Sequence, residues 1–379
     1  TARSMAYDEW KKSYQPFHWL AEYYDIINGN GGFDVIIGNP PYVEISKTIK
    51  QYKLNGYSTI NCGNLYACVY ERSEYISRDD SFVGMIVQLP IVCTDRMVQA
   101  QKLLSRRTSW TLTFDDRPGK LFDDLEHIRV TIFFTTSKSP AMFTSKYNRW
   151  YTECRFNLFK ILTMVEQELV GNINSIAKIG NEIARNVIVR ISHFKPLSTY
   201  FSSFDENQIY THNAPQYFTR ATDFVPYFWN EIEGNKISVS LKPYSFASVE
   251  KSKIGCSVLN SSIFYFWFIV LSDCRHLNVR EVENFPMGVD EMPNDVVSAL
   301  CSLEMKLMQD YERNKNHKES FYKSTGKVVY DEYFPKKSKS IIDEIDKVLA
   351  KHYGFTDEEL DFIINYDIKY RMGDELNEE

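Results

Sequence analysis

The sequence predicts an α/β protein: a doubly wound sheet, then an α+β region, then a helical tail. Three observations carry that expectation. Short apolar runs rich in β-branched residues alternate with stretches at helical spacing. Those runs stop at glycine, proline or asparagine. From Asn294 onward the apolar residues fall at helical intervals.

In chain order, Tyr7–Gly31 reads as a helix and loop, and Phe33–Gly38 as a buried central strand of a parallel sheet, ending in Gly38. Val43–Cys62 is polar, with Lys47, Lys50, Lys53 and Gly56, and reads as a loop over a substrate. Asn64–Ile76 has helical spacing, Phe82–Leu89 is a second strand, and Asp95–Leu104 a second helix. Trp110–Phe114 and Ile128–Thr135 read as further strands of a parallel sheet with covering helices. Tyr147–Ile179 has helix-like spacing and reads as the crossing into a second domain, and Asn181–Leu271 mixes short strands and turns. Within it Ser257–Trp267 is an aromatic-rich helix whose Tyr265, Phe266 and Trp267 belong to a core. Val296–Tyr311 and Ser340–Tyr353 are tail helices, Gly354 closes the second, and Thr356 with Glu359 forms a capping box for a third. The expected domains are 1–145, 146–293 and 294–379.

An apolar fraction of 44% in 379 residues is ordinary for globular domains, whereas 15% aromatic is high. Aromatic side chains serve cores and also base stacking. The net charge of −6 is uneven. Glu281–Glu379 holds 13 Lys+Arg against 23 Asp+Glu, leaving 31 against 27 for Thr1–Arg280. A mildly basic body is compatible with nucleic acid, which local clusters recognise. Seven cysteines without close metal-type pairing suit a reducing cytoplasm and argue against zinc. The longest apolar run, Ile263–Leu271, is too short to span a membrane, and no signal peptide is expected.

The sharpest feature is Asn39-Pro40-Pro41-Tyr42, placed directly after the first strand. Ligands of open α/β sheets bind at such strand ends. Two consecutive prolines hold the preceding residues extended and remove backbone donors. What remains is a rim of carbonyls plus the Asn39 side-chain oxygen. Two acceptors there suit a planar exocyclic amino group, whose lone pair then turns toward an electrophile, and Tyr42 offers a flat face for a base. The alternative is a tight turn with a packed tyrosine. Chance alone would produce this tetrad in a chain this long on the order of once in a thousand sequences, so the functional reading is preferred.

Phe33–Tyr42 resembles motif IV of amino-methyltransferases that use S-adenosylmethionine, in the form found in N6-adenine DNA methyltransferases. Pro16–Glu22 through Gly31–Phe33 is similar to the lead-in of type IIG restriction-modification enzymes. The resemblance implies a methyltransferase (Rossmann-like) sheet. It also implies that Asn39 and Pro40 hold the adenine amino group, that Tyr42 stacks the flipped base, and that Pro41 and Asn39 lie near the cofactor. Asn64–Ile76, Phe82–Pro90 and Ile128–Lys138 resemble motifs V, VI and VIII. The last offers Phe133 or Phe134 to the adenine; alternation sends them to opposite faces, and Phe134 is favoured. Ser257–Trp267 and Ser272–Pro286 together resemble a target-recognition domain, which implies Arg275, His276, Asn278 and Arg280 near double-stranded DNA. Asn278 as a helix cap and Arg280 paired with Glu283 are the alternatives. Phe334–Lys337 through Tyr366–Arg371 resembles the closing segment of such enzymes.

The residues before Asn39 carry no glycine-rich strand-to-helix turn and no acidic strand end for a cofactor ribose. The chain therefore resembles the second half of a catalytic domain together with its downstream domains, and reads as cut from something longer. Weak or absent cofactor binding is expected without an N-terminal half, from the same polypeptide or a partner chain. Glu304-Met305-Lys306, the one nuclease-like pattern, falls in a helical stretch and is set aside. An adenine methyltransferase and a non-catalytic DNA-recognition fragment both remain. Protein glutamine methylation, which shares the tetrad, has no use for the long second domain.

Overall fold

Phe33–Gly38, expected as a buried central strand, is corrected to an exposed edge strand of a mixed sheet in the computed structural model, which describes residues 6–48, 53–122, 127–136, 139–167 and 175–373. Lys50 of the expected substrate loop, Lys138 at the end of the motif VIII stretch, part of Tyr147–Ile179 and the last six residues lie outside these.

The strands are β1 (Phe33–Gly38), β2 (Ser77–Gln88), β3 (Thr108–Phe114), β4 (Val130–Thr136), β5 (Ala141–Asn148) and β6 (Met164–Glu166). Their order in the sheet is β1-β2-β4-β3-β5-β6. β1 and β2 run parallel, Val35 opposite Phe82 and Ile37 opposite Gly84. β2 and β4 run antiparallel, Gly84 opposite Phe134 and Met85 opposite Phe133. The expected all-parallel sheet is thus corrected to a mixed one, and the fold is α/β with a helical C-terminal region. A short β-branched run looks alike in either direction, so residue type could not set strand polarity.

Two compact units divide the chain within β3 and β5. In the first, the helix Leu65–Ile76 buries Tyr66, Tyr70 and Ile76. It covers the face of β2 and β4 that carries Val83, Met85, Val87 and Phe133, each at most 3% exposed. Tyr70 meets Phe133 edge-on at 4.7 Å, a geometry that adds about 1 kcal/mol beyond burial. Behind it Glu74 receives Arg107 at 2.9 Å and the Thr135 hydroxyl at 3.0 Å. The stretch expected as an open loop, Val43–Cys62, is instead tied down at both ends. Ile45–Thr48 and Ser58–Cys62 are helical turns, and Ile45, Leu65 and Cys68 pack with Leu54, Tyr57 and Ile60. The Glu71 carboxylate accepts from the backbone and hydroxyls of Ser58 and Thr59, at 2.6–3.0 Å. Burial opposes its charge, yet these bonds hold the carboxyl below its ordinary pKa.

In the second unit, the described part of Tyr147–Ile179 is corrected from helix to the end of strand β5, a 3-10 turn (Thr152–Lys160) and β6. The helix Glu182–Ser192 opens on Asn181, whose side chain caps the Ala184 amide. Further strands are β7 (Gln208–His212), β8 (Ala221–Thr222), β9 (Phe228–Asn230), β10 (Gly234–Asn235) and β11 (Leu241–Ser245), then β12 (Asn316–Tyr322) and β13 (Gly326–Glu332). They form a β11-β7-β8 sheet and a β10-β9-β13-β12 sheet. The aromatic run divides into Val249–Asn260 and Ser262–Leu271, bent by 64°. Ser261 caps the second helix, and Asp346 accepts from the Ser262 amide at 2.9 Å. Every residue of Ser262–Leu271 is buried. Among the described residues no single helix is long and apolar enough to cross a membrane. The tail helices are Asn294–Asn314, Lys339–Tyr353 and Asp357–Ile364, with Gly354 left-handed and the Thr356/Glu359 box formed. The β12–β13 hairpin interrupts what reads from sequence as continuous helix.

Candidate functional site

The tetrad leaves the carboxyl end of β1 where Gly38 has open space beside it: a Cβ built there would meet nothing within 4 Å. Asn39 is exposed, Pro40 buried, Pro41 exposed and Tyr42 half-buried. Among the described residues no donor bonds the Asn39 side chain or the Pro40 carbonyl. Tyr42 is oriented by two contacts. Its hydroxyl donates to the Ile86 carbonyl at 3.1 Å, and its ring meets Tyr66 edge-on at 6.2 Å. Burial pushes the phenol up to about 12, so the ring stays neutral at physiological pH.

The segment after Tyr42 is stitched to the helix Leu65–Ile76. The Leu65 amide donates to the Val43 carbonyl and the Ile45 amide to the Gly63 carbonyl, both at 2.9 Å. Gly63 is left-handed, and any side chain there would collide with the Arg96 guanidinium, which reaches Glu44 at 3.3 Å. Asn64 is 3% exposed; its Nδ2 donates to Gln88 at 3.4 Å, while its Oδ1 has no hydrogen-bond partner. A residue just before a helix reads as a cap, so no sequence cue shows Asn64 turning toward the end of β2. Asn64 and Arg96 are additions to the sequence-derived site.

Phe133 is fully buried against Tyr70, whereas Phe134 is 46% exposed on the opposite face and lies over Gly84. A Cβ on Gly84 would approach the Phe134 ring to 3.0 Å. On that face Val35, Ile37 and Phe82 are 54%, 81% and 56% exposed, making an apolar stripe beside the free edge of β1. Phe17, Trp19 and Tyr23 cluster with Phe33 at the other end of the strand.

In the second unit, Arg275 and His276 are exposed side by side, their amides both held by Asp273 at 2.9 Å. Arg275 donates to the His127 carbonyl at 3.4 Å, and Arg117 meets the His127 ring at 2.9 Å. Arg117 and His127 therefore extend the basic cluster, a grouping that a separation of 148 positions between His127 and Arg275 conceals. The loop bearing them is anchored by a buried ionic network. Asp115 binds Arg149 at 2.9 Å and Arg129 at 3.3 Å, and Arg149 also reaches Asp367 at 2.6 Å and the Tyr265 hydroxyl at 2.8 Å. Burial works against the Asp115 charge, yet the two arginines hold its carboxyl below the ordinary value. Asn278 caps the short helix Val279–Glu283 in a capping box with Glu281. Arg280 turns away from Arg275, to Glu281 at 2.7 Å, Asp95 at 2.9 Å and the Cys93 carbonyl at 2.6 Å. Glu304 lies buried in the helix Asn294–Asn314.

The donor set at the tetrad fits part of a nucleoside-sulfonium cofactor. Asn39 and Pro41 offer an acceptor and an apolar contact at the strand end. For ribose hydroxyls, the carboxylates of β1 and β2 are already engaged: Asp34 and Asp80 both pair with Arg78 at 2.6 Å.

Residues 3–113 match the family described as Eco57I restriction-modification methylase. No curated protein matches the chain. Among solved structures, similarity is found to a modification subunit of a putative type I restriction enzyme from Vibrio vulnificus YJ016. That pair shares 13% identity over 36% of this chain and 34% of that one, with a TM-score of 0.27. The ATP-dependent type ISP restriction-modification enzyme LlaBIII, bound to DNA, shares 12% identity over 81% of this chain and 33% of that one, TM-score 0.35. The type IIG restriction endonuclease BpuSI shares 10% over 88% and 54%, TM-score 0.32. The chain spans about a third of the modification subunit and of LlaBIII, and about half of BpuSI.

Proposed function

We propose that the chain carries the substrate-amino end of a DNA methyltransferase acting on adenine N6. The observation that carries the reading is the unbonded Asn39 side chain and Pro40 carbonyl at the open end of β1, beside an oriented tyrosine. The amide oxygen and the carbonyl accept the two amino hydrogens and turn the lone pair outward. Tyr42 stacks on the flipped base, and Phe134 contributes from the open sheet face. S-adenosylmethionine would supply the methyl group when bound, with Asn39 and Pro41 nearest to it. The proton leaves the amino nitrogen after attack, so no strong base is required in the site.

The uncovered stripe Val35, Ile37 and Phe82 with the free β1 edge supports a further part of the proposal. A cofactor-binding half, from the same polypeptide or a partner chain, completes the sheet there. In the second unit, Arg275 and His276 with Arg117 and His127 contact double-stranded DNA, chiefly its phosphates. Asn278 and Arg280, already engaged within the protein, shape that surface. Residues 146–293 serve as the recognition domain.

The test is product identity. DNA incubated with labelled cofactor and this chain, alone and with the proposed cofactor half, is digested to nucleosides. N6-methyladenine that appears only in the second case supports the reading. Label in protein glutamine instead would replace it, and DNA binding without methylation in either case would leave a recognition fragment.

A further inference from the structure

The second unit holds a cavity of about 730 Å³ between the β11-β7-β8 and β10-β9-β13-β12 sheets, apart from the basic cluster around Arg275. Its wall is strongly aromatic: Tyr217, Phe218, Tyr227, Phe228, Tyr330 and Tyr333 all contribute. Four charged side chains of the lining already have partners or neighbours. Arg371 donates to the Tyr217 carbonyl at 3.0 Å and to Ser262 at 3.3 Å. Asp331 is paired with Lys315 and His317, both at 2.9 Å, and Glu332 with Lys318 at 3.1 Å. Lys336 lies near the Phe334 end of the wall.

Arg220 is different. Among the described residues no carboxylate lies within ion-pair distance of it, and its guanidinium rests 5.1 Å from the centroid of the Tyr333 ring. Burial draws its pKa below the ordinary value, although the Glu332 carboxylate of the same lining and the Tyr311 and Tyr333 phenols act in the opposite direction. His212, beside it, is pushed down to about 4 by burial and by the Arg220 charge, so at neutral pH it lines the cavity as an uncharged group. A half-buried guanidinium with a tyrosine ring against it, and no carboxylate within ion-pair distance among the described residues, leaves room for a closer anion. An anion entering the cavity would take that place, and a planar group attached to that anion would find aromatic faces on several sides. The volume is of the size that takes a small organic ligand.

We infer that this cavity binds a nucleoside phosphate, its phosphate on Arg220 and its base against the Tyr333 side of the aromatic wall. The site is separate from the tetrad and does not depend on methyl transfer.

The experiment is calorimetric titration of the whole chain with deoxyadenosine 5′-monophosphate, deoxyadenosine and inorganic phosphate. The nucleotide should bind at least about tenfold more tightly than either fragment, since both the charged and the stacking contact are needed. Arg220→Gln should weaken it about tenfold or more, Arg220→Lys less, and Tyr333→Leu should weaken it while keeping the charge. Melting curves separate a lost contact from a lost fold. Deoxythymidine 5′-monophosphate, which has no exocyclic amino group for the tetrad to hold, should bind the same cavity with the same Arg220 dependence, so failure of the methyl-transfer reading leaves this result standing. Competition by a single-stranded tetranucleotide would assign the site to a nucleotide of a DNA strand; its absence, to a free nucleotide. No binding of the nucleotide, or equal binding by Arg220→Gln, overturns the inference.

Discussion

Phe133 and Phe134 are neighbours in β4, yet one is sealed and the other open. Phe133 lies on the face that the helix Leu65–Ile76 covers, with Val83, Met85 and Val87. Phe134 lies on the face where Val35, Ile37 and Phe82 remain exposed. Alternation along a strand guarantees the split; what covers each face decides its use. The same residue type is thus structural on one side of a sheet and available for recognition on the other.

The largest effect expected on stability comes from the sealed side. Phe133→Ala should cost about 3–5 kcal/mol in denaturant unfolding, through lost burial and a cavity beside Tyr70. Phe134→Ala should cost about 1 kcal/mol or less, while weakening methyl transfer. Equal costs would remove the distinction between the faces. Arg107→Ala should come close to the Phe133 change, at about 3 kcal/mol, because it strands the Glu74 carboxylate behind the sealed face. Ile37→Lys sharpens the open side: thermal melting should move little, but association with a cofactor half should fail if that face is the docking surface. An effect as small as that of Phe134→Ala belongs to Tyr42→Phe, which removes only the bond to the Ile86 carbonyl, about 1 kcal/mol in unfolding. The Tyr42 phenol has its pKa raised by folding, so its contribution is present below pH 10 and lost as pH rises through about 12. Chemical unfolding from pH 7 to 9.5 should therefore show no change that Tyr42→Phe abolishes.

Much of the first unit was legible. The helix Leu65–Ile76 follows from its residue period, and strands β1 to β4 from short apolar, β-branched runs that stop at turn residues. The opposite orientations of Phe133 and Phe134 were readable for the same reason. Strand direction in β4 was not, since period carries no polarity. Tyr147–Ile179 misled because aromatic and apolar residues spaced along β5 and its neighbours also satisfy a loose helical template. The β12–β13 hairpin escaped because β12 is mostly polar and exposed and the short apolar run Val328–Tyr330 of β13 lies between helices, although Thr325-Gly326 marked the turn. The tetrad was legible from composition and place. Asn64, Arg96, Arg117 and His127 were not, because tertiary contacts alone bring them to their neighbours.

The most direct test is Asn39→Ala, assayed as labelled methyl transferred to DNA adenine in the presence of the proposed cofactor half. The expected result is a loss of about 10²–10³-fold at an unchanged melting temperature, since Asn39 is exposed and bonds nothing within the described fold. Transfer that continues at the original rate would contradict a role for Asn39 in holding the amino group.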